Sequence, residues 1–149
     1  MSLDVYLTTP GVKHVRRSTR VCARVDGRTR DLTPEECAAR WPDALPVEEQ
    51  VWESEEIYHG NVTHNLGKMA KAAGLYEALW KPDEIGITTA GQLVPLLEPG
   101  LAQLRAEPDR YRLFNPHNGW GNYEQLVAFT EEYLSACREW PDAVVEAWR

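Results

Sequence analysis

The stretch IYHGNVTHNLGKMAKAAG, residues 57–74, changes its periodicity midway. Residues 57–62 suit a short extended segment, whereas Leu66, Met69, Ala70 and Ala73 recur on one side of a helix that Gly74 is placed to end. Asn61 or Thr63 carries the side-chain oxygen that caps its start. A strand that delivers the chain directly into a helix points to a mixed fold, and the flanking sequence extends both kinds of element.

Upstream, LDVYL at residues 3–7 alternates apolar and polar side chains, as a half-buried strand does, and TTPG stops it. A second strand is expected over residues 19–25, with Asp26-Gly27 turning it into residues 29–32. Thr33-Pro34-Glu35-Glu36 has the order of a capping box with a first-turn proline, which predicts a short helix to about Arg40. Residues 42–56 read as an irregular acidic connector, loop or strand, with Val47, Val51 and Trp52 as its inward anchors.

Downstream, Leu75, Tyr76, Leu79 and Trp80 prolong the apolar surface until Lys81-Pro82 breaks it. Leu93, Leu97, Leu101 and Leu104 have helical spacing, but Pro95 and Pro99 each remove an amide and crowd the preceding turn. A kink or two abutting helices are expected there. Residues 109–120 suit one short helix and a loop, and residues 122–139 carry Tyr123, Leu126, Val127, Thr130, Leu134 and Cys137 along one helical face. The closing AVVEAWR suits a strand returning against LDVYL. The expected fold is α+β: a small antiparallel or mixed sheet packed against several helices, in a single compact domain over residues 1–149.

The composition agrees with that size. The 149 residues are 43% hydrophobic and 26% charged, with sixteen basic and twenty-three acidic side chains for a net −7. No apolar run reaches the length of a membrane span, and the start lacks the basic-then-apolar order of a secretory signal, so a cytoplasmic protein is expected. Cys22, Cys37 and Cys137 form no short metal pair and cannot all be paired, and Cys137 falls on the apolar stripe. Residues 1–30 are locally basic, yet the overall charge and the lack of any nucleic-acid motif speak against a nucleic-acid partner.

Two polar clusters stand apart from this scaffold. Residues 58–65, YHGNVTHN, lie where strand passes into helix, and residues 115–123, NPHNGWGNY, immediately precede the long helix. Helix entrances present amides without intrahelical partners, which makes both clusters candidate pocket walls. His59, Asn61, Asn65, Asn118, Trp120 and Tyr123 are the candidate ligand-binding residues. His64 and His117 are the candidate acid/base pair, since imidazole titrates near neutrality. No metal or cofactor is assigned: a third metal ligand would have to come from distant Glu55, Glu56 or Asp109, and no phosphate loop, dinucleotide fingerprint, HExxH or serine elbow is present.

MSLDVYL, then NVTHNLGKMAKAAGLYEALWKP, FNPHNGWGNYEQLV and the terminal strand together resemble a group of small uncharacterised proteins of phage and bacterial genomes. The resemblance implies one compact domain and a mobile-element context, and carries no activity, cofactor or catalytic residue with it. The leading expectation is a protein that binds a small molecule or peptide in a polar pocket between residues 57–67 and 115–123. One alternative is a small hydrolase or lyase using His64 or His117. The other is a protein-interaction or inhibitor protein whose tryptophans include interface anchors.

Overall fold

The computed structural model of the chain describes residues 1–18, 22–43 and 47–149, which gather into two compact units, Met1–Pro10 with Glu55–Arg149 and Gly11–Ser54. In chain order the strands are β1 (Ser2–Thr8), β2 (Val12–Ser18), β3 (Cys22–Val25), β4 (Arg28–Asp31), β5 (Val47–Glu53), β6 (Glu56–Thr63) and β7 (Val144–Trp148). The helices are α1 (Pro34–Arg40), α2 (Gly67–Ala72), α3 (Tyr76–Trp80), α4 (Ala90–Ala106), α5 (Pro108–Arg112) and α6 (Tyr123–Glu139), with 3-10 turns at His64–Leu66 and Pro82–Ile85.

The larger unit is an α+β fold, as expected. Its antiparallel sheet has the order β6-β1-β7, so the strand read from LDVYL is the central one. Leu3, Val5 and Leu7 are fully buried, opposite Val62, Gly60 and Tyr58 on one side, with Ala147 and Val145 facing Val5 and Leu7 on the other. The intervening positions Asp4, Tyr6 and Thr8 lie on the other face of the sheet. Leu66, Met69 and Ala70, then Leu75, Leu79 and Trp80, meet the buried side of the sheet together with α4 and α6. Each fully buried aliphatic side chain contributes about 2 kcal/mol, which is what holds helices as short as α2 and α3 in place.

Of the kink or two abutting helices expected at Pro95 and Pro99, the two helices are corrected: α4 is one helix that runs through both. Both prolines lie on its exposed side, while Leu93, Leu97, Leu101 and Leu104 are buried, so burial of the apolar stripe outweighs the lost hydrogen bonds. Gly100 lets α4 close on the preceding segment, since a Cβ there would lie 2.3 Å from Cδ2 of Leu75.

In the smaller unit β2 pairs with β5 and β3 with β4. Asp26 and Gly27 turn β3 into β4 with φ of 51° and 77°, the two-residue turn expected from the sequence. Part of the expected strand start, residues 19–21, lies outside the described residues. Residues 47–53 of the stretch read as a connector form a strand, and its partner β2 was not anticipated. The capping box of α1 is present, with Thr33 and Glu36 exchanging backbone and side-chain bonds. Arg30 grips the Glu36 carboxylate at 2.5 and 2.7 Å, which, with the Thr33 amide, lowers it to about 2. Among the described residues no helix is long and apolar enough to cross a membrane.

Candidate functional site

The two polar clusters meet in the larger unit, and Gly121 shows how closely. Its φ is +99°, and a Cβ there would lie 2.6 Å from Cγ2 of Thr63 and 3.1 Å from the Leu66 side chain. The loop before α6 therefore rests its backbone on the turn that ends β6, a path open to glycine alone.

Three recesses open around this junction. One of about 480 Å³ has His64, Asn65 and Lys68 on one wall and residues 113–117, including Leu113, Phe114 and His117, on the other. A second, of about 670 Å³, shares His64 and Asn65 and adds Asn61, Thr63, Asn118 and Trp120. A third, of about 510 Å³, runs from His59 and Asn61 past Trp120 and Gly121 to Gln125, Phe129 and Glu132 on α6. His59, Asn61, His64, Asn65, His117, Asn118 and Trp120 thus surround one region of the unit.

Tyr123 does not join them. It is only 6% exposed, and its hydroxyl donates to the Leu104 carbonyl at 2.7 Å, which ties the start of α6 to the end of α4. An aromatic residue at the head of a helix serves the core here.

The two imidazoles of the first cluster are differently placed. The indole N–H of Trp80, itself 1% exposed, donates to Nδ1 of His64 at 2.9 Å. An indole nitrogen only donates, so in the neutral ring the His64 proton is on Nε2 and that atom is a hydrogen-bond donor. His59 faces the opposite side of the sheet from the core, stacked on Tyr6 at 4.6 Å, with Nε2 3.1 Å from Asp4 Oδ1. Asn61 donates to the same oxygen at 2.6 Å, and this bond, with that of His59, holds the Asp4 carboxyl below its ordinary range.

Side chains take some of the amides at both entrances, although α2 itself has no side-chain cap. Thr63 Oγ1 accepts from the Asn65 amide at 3.3 Å. Asn122 and Gln125 cap each other at α6, and Asn115 Oδ1 takes the Tyr123 amide at 2.7 Å. Asn118 Oδ1 accepts from the Trp120 amide at 3.0 Å and so shapes the loop.

Lys68 is a candidate site residue that the sequence reading did not include. In the larger unit Lys81, Arg105, Arg110, Arg112, Arg138 and Arg149 each have a carboxylate partner. Lys68 and Lys71 have none among the described residues; of the two, Lys68 lines a recess that contains His64, and no carboxylate lines either such recess. The position of Lys68 four residues after His64, one helical turn on, was the available signal. Among the described residues no three His, Cys, Asp or Glu side chains gather in a group that could hold a metal ion. Cys137 is fully buried, and burial pushes its thiol up to about 12. No family model, curated protein or solved structure matches this chain, and the meaning of the site rests on its own chemistry.

Proposed function

We propose that the chain is a binding protein that takes a small molecule or peptide between residues 57–67 and 115–123, with an anionic group of that ligand held at Lys68. The observation that carries this reading is the acid-free lining of the two recesses sharing His64 and Asn65. The unit around them has fifteen acidic and eight basic residues, so a lining without carboxylates runs against its composition. The Lys68 ammonium, the Nε2–H of His64 and the side-chain amide of Asn65 are donors suited to an oxyanion, and charge-assisted bonds are the strong ones. Leu113 at 84% exposure and Trp120 at 71% offer an apolar body a surface beside those donors.

Titration of the ¹⁵N-labelled full chain with 3-phenylpropionate and, separately, with phenethylamine tests the reading. The carboxylate is expected to shift the amides of residues 64–68 and 113–120, and the amine of similar shape to leave them in place. Lys68→Met should weaken the carboxylate about tenfold, the loss of one charge-assisted bond, and Trp120→Ala should weaken it without unfolding the chain. Equal responses to the two probes, or shifts confined to other residues, would overturn it.

A further inference from the structure

The face of the sheet turned away from the core carries a second constellation that the reading above does not use. Tyr6 on β1 stands opposite Glu146 on β7, Thr8 stands opposite Glu56 on β6, and Trp148 follows two residues after Glu146 on the same face. The Tyr6 and Trp148 rings meet edge to face, with centroids 6.0 Å apart and planes at 66°. Together with Thr8, Glu56 and Glu146 they line a recess of about 290 Å³. It lies toward the Thr8 end of β1 and neighbours the third recess of the junction, since Tyr6 in its lining stacks on His59.

Two features of this recess need an explanation. Trp148 is 65% exposed, although burying an indole is a large gain. Glu56 and Glu146 have no basic partner among the described residues; the Trp148 indole N–H lies 3.4 Å from a Glu146 oxygen. Aromatic faces at a steep angle with carboxylates at the rim are the chemistry of cation recognition. A flat guanidinium stacks on one ring and points its fork of donors at both carboxylates, which a compact ammonium cannot do. The volume is at the lower end for a ligand site and matches one long side chain. The unit bears eight basic and fifteen acidic residues, the whole net charge of the chain, which steers a basic partner toward it.

We propose that this recess docks an arginine side chain presented by a basic partner polypeptide. The ¹⁵N-labelled full chain is titrated with the peptide Gly-Ser-Arg-Ser-Gly, with the same peptide carrying citrulline, and with N-acetyl-arginine amide. The arginine peptide is expected to move the Trp148 indole resonance and the amides of residues 56–58 and 146–148. Citrulline, neutral and of similar shape, should bind at least about tenfold more weakly. The exposed pair Glu56→Gln and Glu146→Gln should reduce arginine-peptide binding by about the same factor and leave the rest of the spectrum in place. Equal binding of the citrulline peptide, or shifts away from these residues, overturns the proposal. N-acetyl-arginine amide binding as tightly as the peptide also overturns it, because the recess would then be a site for a small cation.

Discussion

Replacing His64 with alanine is expected to act on the core before it acts on any ligand. Trp80 is 1% exposed, and its indole N–H has the His64 Nδ1 as its acceptor at 2.9 Å. Removing that acceptor leaves a buried donor unpaired, which costs about 1–3 kcal/mol. With a urea dependence of about 2 kcal/mol per molar, the unfolding midpoint should fall by about 1 M. His64→Asn places an amide oxygen near the position of Nδ1 and should recover part of the loss. The assay is urea unfolding followed by near-ultraviolet circular dichroism, with the Trp80 indole resonance as the local reporter. A midpoint for His64→Ala within about 0.2 M of the parent, or an asparagine variant no better than alanine, would refute the reasoning. The same argument makes Lys68→Met and Trp120→Ala the cleaner probes of binding, since both side chains are exposed.

Two further outcomes follow from the packing under β6. Tyr133 is 1% exposed and its hydroxyl has no hydrogen-bond partner among the described residues, so Tyr133→Phe should stabilise the chain by about 1 kcal/mol, read as a higher urea midpoint; a drop of that size would show that the hydroxyl has a partner. Burial, then the nearby Glu132, pushes the Tyr58 phenol up to about 12 from an ordinary value of 10.0, and burial pushes the Cys137 thiol from 9.0 to about 12. The folded chain keeps protons that the unfolded chain releases, so the stability present below pH 9 should decline as the pH rises from 9 to 12. Urea midpoints at pH 8, 10 and 11 check this, and an unchanged midpoint across the series would contradict it.

What was legible in the sequence was local. The alternation in LDVYL, the Thr33 capping box and the stripe of Leu126, Thr130, Leu134 and Cys137 each lie within a few residues, and each corresponds to an observed element. The pairing of β2 with β5 joins distant segments, and Lys13, His14, Arg16 and Arg17 hide any apolar alternation in β2. The continuity of α4 depends on tertiary burial of four leucines, which a reading of Pro95 and Pro99 alone does not include. The site divides in the same way. The polar clusters were visible as composition, but their meeting depends on Gly121 lying against Thr63 and Leu66, a contact between residues far apart in the chain. Tyr123 was misplaced because its partner, the Leu104 carbonyl, belongs to another helix.

The central position of β1 also sets an order of events in synthesis. Val5 stands opposite Gly60 and Ala147, so its strand finds one neighbour early and the other only when nearly the whole described chain has left the ribosome. During that interval one side of β1 presents unpaired peptide groups, and Leu7 lacks the cover that Val145 later provides. Sheets closed by such distant pairings form slowly and expose strand edges while they wait. The half-made protein is therefore most open to mispairing with another chain at the strand that ends up best protected in the finished one.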